Sequence, residues 1–151
     1  MYQDTITLFN RKTGSEGDTW YPTVLHNVHL NVDKSAILAK YGPDAKDNAA
    51  LHVRYTVQDD EKKMVGHKPW LPPNQWQNAQ DPAQAVTFAG GDKFDFFWQG
   101  DWGNEIPVRD ADYASEGDFY THMKLAHDFV FAISSVGGPY SVIPHFEIVG
   151  R

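Results

Sequence analysis

The sequence contains no cysteine, and it is poor in basic residues and in long apolar runs. Without cysteine the protein forms no disulfide, holds no metal through thiolates and has no thiol nucleophile, which fits a reducing compartment. Thirteen basic residues against 20 acidic ones leave a formal charge of −7, which argues against a surface that grips nucleic-acid phosphates. No run is long enough to span a bilayer, and the opening MYQDTITLFN lacks the basic and apolar regions of a signal peptide. We therefore expect no membrane partner.

Aromatic residues, by contrast, are abundant. The 151 residues include five Trp, seven Tyr and nine Phe within a hydrophobic content of 41%. A chain of this size and composition buries a core large enough to fold without cross-links. We predict one domain that spans residues 1–151.

The first half of the chain has the period-two alternation of β-strands. Asp4 to Arg11 alternates Ile and Leu with Thr and precedes a turn-like stretch. The longer segment Trp20 to Lys34 alternates in the same way, which is typical of a half-buried antiparallel strand. Leu51 to Val57 predicts a third strand, and Ser35 to Lys40 predicts a short helix before it.

The segment from Asp128 to Arg151 predicts a buried β-hairpin. Apolar residues alternate on both sides of Gly137, Gly138 and Pro139, and a Gly-Gly pair is typical of a tight turn between antiparallel strands. A short helix over Phe119 to Ala126 leads into this hairpin. We expect the following side chains to be largely buried: Phe129, Phe131, Phe146 and Ile148.

The stretch from Lys62 to Gln84 is rich in proline and tryptophan, and it predicts a long insertion with one helical turn after Pro73. Beyond it, Val86 to Phe88 and Phe94 to Trp98 predict two short strands joined by a Gly-rich turn. Tryptophans anchor many protein interfaces, although they also fill the cores of β folds. We predict that the insertion projects from the domain and contacts a neighbouring subunit. The candidate interface residues are Trp70, Trp76, Trp98 and Trp102.

Two motifs contain histidine, but neither has the pattern expected of a metal site or a catalytic triad. His26 and His29 lie three apart on a predicted strand, so they should point to opposite faces and not chelate one ion. The stretch that includes His127, Asp128, Ser134 and Ser135 contains the residue types of a catalytic triad, without the G-x-S-x-G turn that exposes a nucleophilic serine. We interpret these residues as structural.

Two further motifs are interpreted as turns. Gly137-Gly138 lacks the following Lys-Ser/Thr of a phosphate-binding loop. The acidic stretch Asp59 to Glu61 lacks the alternation and the glycine of a calcium-binding EF-hand loop. We therefore predict no catalytic, cofactor-binding or metal-binding residues.

The chain resembles an uncharacterised family of small proteins from phage and prophage structural modules of Gram-positive gut bacteria. The resemblance runs the length of the chain and is carried by DTITLFNR, DTWYPTVLHNVHLNVDK, KPWLPP and FVFAISSVGGPYSVIPHFEIVG. The order of elements is also similar to that of the head-closure, or stopper, proteins of siphophages. In both, a D-x-I-T strand, a long second strand and an insertion precede a terminal strand-turn-strand.

This resemblance implies an all-β fold, a small antiparallel β-barrel with the long insertion and one or two short helices. It implies a homo-oligomeric ring in the virion neck that contacts portal or adaptor and tail proteins, after assembly in the host cytoplasm. Genomic DNA would pass through the ring without specific binding. The family supplies no catalytic residues and no cofactor, so we expect no enzymatic activity. The insertion makes this chain longer than a minimal stopper protein.

Alternatives to the neck ring remain at this point. Tail-completion, tail-terminator and head-decoration proteins are other virion roles for such a domain. A carbohydrate-binding β-sandwich is favoured by the tryptophans, because aromatic rings stack on sugars, and by the acidic charge. Self-association favours the ring, whereas a monomer with ligand-dependent tryptophan fluorescence favours the carbohydrate-binding module.

Overall fold

The computed structural model describes residues 2–33 and 48–151, and it consists mainly of β-strands. Within these residues two short helices, α1 (Pro73–Gln77) and α2 (Phe119–Ala126), accompany the strands. Short 3₁₀ segments lie at Pro82–Gln84 and Asp110–Glu116. The helix predicted over Ser35 to Lys40 lies outside the described residues. The strands are β1 (Asp4–Lys12), β2 (Thr19–Val32), β3 (Ala49–Arg54), β4 (Thr56–Val57), β5 (Lys63–Val65), β6 (Lys68–Pro69), β7 (Phe96–Trp98), β8 (Val108–Arg109), β9 (Val130–Tyr140) and β10 (His145–Gly150).

Six of these strands close into an antiparallel barrel. They follow one another in the order β1, β7, β9, β10, β3 and β2, and β2 pairs back with β1 to close the wall. Strand β8 pairs with the start of β2, while β4, β5 and β6 form a separate small sheet. The predicted all-β class and small antiparallel barrel are confirmed.

Apolar side chains fill the interior of the barrel, because each wall strand turns alternate residues inward. Each of the interior residues given below is at most 3% exposed. They include Ile6 and Leu8 of β1, Phe97 of β7, Phe131 and Ile133 of β9, and Phe146 and Ile148 of β10.

A second apolar cluster lies outside the wall, where α2 covers part of it. The helix has the bounds that the sequence predicts, and its N-cap Asp118 accepts a hydrogen bond of 2.7 Å from the backbone N–H of Thr121. The wall is therefore buried on both faces along β1, β7 and the first four residues of β9. The fully enclosed members of this cluster are Phe9, Trp20, Phe96, Phe119, Met123 and Val130.

Strand β2 contains a β-bulge that the alternation does not reveal. Asp4 and Ile6 of β1 pair with Val28 and Leu25, so β2 has one extra residue between these partners. Asn27 takes up the extra length with a positive φ of 59°. The inward parity therefore changes within the strand, and Leu25 and Val28 are both buried.

The terminal hairpin is present, but its turn lies later than predicted. Strand β9 runs through Gly137, Gly138 and Pro139, and the chain reverses over residues 141–144 instead. The burial of Phe131, Phe146 and Ile148 is confirmed. The burial of Phe129 was wrong, because this residue precedes β9 with a φ of 61° and leaves its side chain 38% exposed.

The insertion packs against the barrel and does not project from it, which corrects the prediction. Val65 of β5 is fully buried in the interior core. Lys68, only 5% exposed, donates to Thr23 Oγ1 over 2.8 Å and pairs with Glu105 over 3.1 Å. Burying a charged group without such partners costs much free energy. These contacts of Lys68 therefore hold the insertion against the barrel. The helical turn predicted after Pro73 is present as α1.

The segment from Val86 to Phe88 is not the predicted strand. Val86 makes only an isolated parallel bridge to Trp70, and the following strand is shortened to β7. The Asp95 carboxylate accepts the backbone N–H groups of Arg11 and Ala89, at 2.8 and 2.9 Å. A side chain thus takes over hydrogen bonds that a hairpin ladder would have made.

Candidate functional site

Three histidines form a row across the outer wall of the barrel, on β2, β3 and β10. His29 lies opposite His52 in the strand register, and the ring centroids are 6.0 Å apart. The His52 and His145 rings follow at 6.1 Å and are nearly parallel, with an interplanar angle of 7°. We refer to these residues as the histidine row. They face outwards because the alternate residues of the same strands fill the core.

Glu147 joins two members of the row in a compact group of metal-ligating types. It lies opposite His52 in the register and two residues after His145. One ligand atom from each of these three residues lies within 4.8 Å of the other two. His145 Nε2 and Glu147 Oε1 are 3.2 Å apart. Strand pairing alone brings these side chains together, since they lie on two adjacent strands.

Both ring nitrogens of His145 are engaged. Nδ1 contacts the backbone carbonyl of Ile143, and a carbonyl only accepts hydrogen bonds, so Nδ1 carries a proton. Nε2 is directed at Glu147. The Ile143 carbonyl and the Glu147 carboxylate raise the pKa of His145, because both stabilise the imidazolium.

The turn next to this group exposes apolar side chains. Val142 is 96% exposed and Ile143 is 68% exposed, which is unusual for residues of this kind. They line an open depression of about 380 Å³ together with Tyr140, His145 and Glu147. We refer to residues 140–144 as the hairpin tip. Its base is fixed, because the Tyr55 hydroxyl donates to the Tyr140 carbonyl over 2.7 Å.

Comparison with known protein families adds a family but no activity. The model of a family of unknown function matches residues 1–151. The chain belongs to the DUF6751 family. No curated protein and no solved structure matches it. Any function of this DUF6751 protein must therefore be argued from its own residues.

Trp76 is not an interface residue in this DUF6751 protein. Its side chain has no exposed surface, and its indole N–H donates to the carbonyls of Pro82 and Ala85 at 3.1 Å each. The ring also meets Tyr21 edge to face, with centroids 5.8 Å apart. Trp76 is a core residue that holds the insertion to the barrel, which corrects its assignment as a candidate contact.

The other candidate tryptophans are half-buried and packed within the monomer. Trp70 packs against the interior core, 5.2 Å from the Phe146 ring. Trp98 and Trp102 meet edge to face at 6.1 Å and belong to the outer cluster under α2. Each therefore packs against one of the two apolar clusters, and of the four candidates Trp98 and Trp102 are the pair that meet.

The histidine motifs of the sequence take different positions from those predicted. His26 and His29 both lie on the outer face, because the bulge at Asn27 changes the parity between them. The predicted opposite orientation was therefore wrong. His26 contacts Thr5 Oγ1 at 3.1 Å, and it is not part of the group around His52.

The residue types of a triad make structural contacts. The Ser134 hydroxyl donates to the Val149 carbonyl over 3.1 Å, within the terminal hairpin. The His127 ring packs 4.9 Å from that of Trp98. These side chains support neighbouring elements of the fold.

Sequence reasoning missed the group of His52, His145 and Glu147 because His52 is far along the chain from the other two residues. Each histidine occupies an outward position of an alternating strand, which is a visible pattern, but one that surface residues share. Only the pairing of β3 with β10 shows that these positions are neighbours.

Proposed function

We propose that the chain is a structural protein of a tailed phage or prophage particle, and within it a head-closure subunit that forms a ring in the neck. The observation that carries this proposal is the hairpin tip, which presents Val142 and Ile143 to water. The assignment to a phage particle is based on the sequence resemblance to phage structural modules. Acidic overall charge and a filled barrel are compatible with such a role.

The energetics favour a protein partner for the tip. Burying a Val or Ile side chain stabilises a complex by roughly 1.5–3 kcal/mol relative to leaving it exposed. The tip joins two paired strands and is tied to Tyr55, so little conformational freedom is lost when it docks. In a closed ring this gain is repeated at every interface.

The partner we propose is a second copy of this chain. Ring assemblies use head-to-tail interfaces, in which a projecting element of one subunit meets a different surface of the next. The hairpin tip is such an element, because it extends beyond the paired residues of β9 and β10. Portal or adaptor and tail proteins would contact the completed ring.

The alternatives receive less support from individual observations. Tail-completion, tail-terminator and head-decoration roles require the same kind of self-associating domain and differ in position within the particle. A carbohydrate-binding module lacks its main support, since Trp76 is enclosed and the other candidate tryptophans pack within the monomer. The closed barrel also replaces the sandwich that this alternative assumes.

Mass photometry and negative-stain imaging of the purified chain test the proposal. We expect wild-type protein to form ring-shaped oligomers and the double variant Val142→Ser, Ile143→Ser to be monomeric. The melting temperature of the double variant should equal that of wild type, because both side chains are mainly exposed to water in the monomer. Leu125→Ser is the matched control, since Leu125 is 70% exposed but lies on α2, and its rings should persist.

Two results would overturn the proposal. A wild-type chain that stays monomeric at all concentrations, with tryptophan fluorescence that responds to sugars, would favour the carbohydrate-binding module. Rings that survive the double substitution unchanged would show that the tip is not the contact between copies.

A further inference from the structure

We propose that His52, His145 and Glu147 bind a divalent transition-metal ion, for which Zn²⁺ is the best match. This goes beyond the proposed structural role and does not depend on it. The three ligand atoms already lie within 4.8 Å of one another on two paired strands. We refer to these three residues as the metal triad.

The donor atoms select the class of ion. Two imidazoles and one carboxylate match zinc sites with three protein ligands, which leave the fourth position to water or another ligand. Ca²⁺ and Mg²⁺ prefer oxygen ligands throughout, so the histidine pair disfavours them. The same ligand types also suit Co²⁺ and Ni²⁺, which serve as spectroscopic probes of such a site.

The distances require only small side-chain movements. Two ligand atoms of a tetrahedral Zn²⁺ lie roughly 3.3 Å apart, given metal–ligand bonds of about 2.0–2.1 Å. His145 Nε2 and Glu147 Oε1 are already 3.2 Å apart. His52 is the ligand that must approach, and its ring lies parallel to that of His145. The backbone stays fixed, because both strands are held in the closed barrel.

His145 is oriented as metal-ligating histidines are. Such residues commonly give their second ring N–H to a backbone carbonyl or carboxylate, which fixes the tautomer. Here Nδ1 contacts the Ile143 carbonyl, and Nε2 is left facing Glu147 and the position of the ion. Ile143 of the hairpin tip thus fixes the tautomer of His145 that leaves Nε2 free to coordinate an ion.

The surroundings are compatible with a bound cation. His29 continues the row on the far side of His52 and lies near the Tyr2 ring, at 6.1 Å. Arg54 is the positive charge closest in register, opposite His145, and its guanidinium lies 3.8 Å from the centre of the Tyr2 ring. That contact engages Arg54 in a cation–π interaction outside the metal triad.

Zinc titration of the full chain without a histidine tag tests the site, with a chromophoric chelator as competitor. His52→Ala and His145→Ala should each weaken Zn²⁺ binding by more than the roughly 10- to 100-fold that loss of an outer-shell partner costs. Glu147→Gln should also weaken it, because the amide loses the charge. His122→Ala is the matched control, since His122 contacts Glu116 at 2.7 Å without a second histidine in a metal-ligating group.

A second measurement distinguishes loss of metal binding from loss of folding. Co²⁺ bound to wild-type protein should give the visible absorption of a tetrahedral site, and the His52→Ala protein should lose it while keeping its melting temperature. The proposal is overturned if wild-type protein does not bind Zn²⁺, or if His52→Ala and His145→Ala bind it as tightly as wild type. Equal losses in His122→Ala would also overturn it.

Discussion

Asp95 is a buried carboxyl group whose pKa is raised by the fold. It is 1% exposed, and its oxygens accept hydrogen bonds from Asn10 Nδ2 and from the backbone N–H groups of Arg11 and Ala89. Burial raises the pKa of Asp95 to about 7, against the opposing effect of these donors. One carboxyl group thus connects β1 to the segment before β7.

The first prediction is a pH dependence of stability that originates at Asp95. Because its folded pKa lies above the ordinary 3.8, the folded state binds more protons between these values, and stability should fall as pH rises towards 7. The raised pKa of His145 acts in the same direction but is present in both proteins compared. Urea unfolding should show a larger loss between pH 5 and pH 8 for wild type than for Asp95→Asn. If the unfolding free energy of the two proteins changed equally with pH, Asp95 would not be the source of the pH dependence.

The second prediction concerns two core phenylalanines of the terminal hairpin. Phe131 and Phe146 are at most 3% exposed, and truncating either to Ala should cost about 3–5 kcal/mol of unfolding free energy. Phe129→Ala is the control, because Phe129 is 38% exposed and should lose far less. Thermal or chemical unfolding gives the values. Equal losses at Phe129 and Phe131 would mean that the hairpin faces are assigned wrongly.

At the scale of elements, the insertion belongs to the folding unit. Val65 lies in the interior core, and Lys68 contacts Thr23 of β2. Trp76 of α1 is enclosed and donates hydrogen bonds to the carbonyls of Pro82 and Ala85, at the following 3₁₀ segment. Prolines lower the entropy lost when such a segment becomes ordered, which suits a long connection held against a barrel.

The third prediction is that deleting Lys68 to Gln77 abolishes cooperative unfolding. The deletion removes β6 and α1 together with the buried Trp76, and the exposed apolar surface left behind cannot be covered locally. Replacing the exposed turn Asp59 to Glu61 with Asn-Asn-Gly is the control and should leave the melting transition intact. A deletion variant that melts like wild type would restore the view that the insertion projects.

At the scale of the whole molecule, the proposed ring must let DNA pass outside the barrels. Packed side chains fill each barrel, so the passage would lie between subunits. Asp92 and Asp101 are exposed and available to such a passage, whereas the intervening Asp95 is buried. An acidic lining would repel the duplex and keep it centred.

The fourth prediction is that the isolated protein has no appreciable affinity for duplex DNA at physiological salt. A formal charge of −7 disfavours the release of counterions from phosphates that drives such binding. Fluorescence anisotropy of a labelled duplex, measured over a range of salt concentrations, gives the result. Tight binding that weakens steeply with salt would argue against the proposed passage of DNA.

The sequence by itself determined the β class, the bounds of α2 and three of the four core residues predicted for the terminal hairpin. These features depend on local patterns, because alternation assigns strands and an N-cap such as Asp118 starts a helix. Phe131, Phe146 and Ile148 were placed correctly for the same reason. Each of these conclusions needs only residues that are close in the chain.

Only the tertiary structure decided which outward residues meet and which tryptophans are enclosed. The bulge at Asn27 reverses the parity of β2, and the pairing of β3 with β10 joins His52 to Glu147. Trp76 became a core residue because the insertion folds back on the barrel. Register and burial of this kind depend on contacts between distant segments, and a one-residue shift turns every following side chain to the other face.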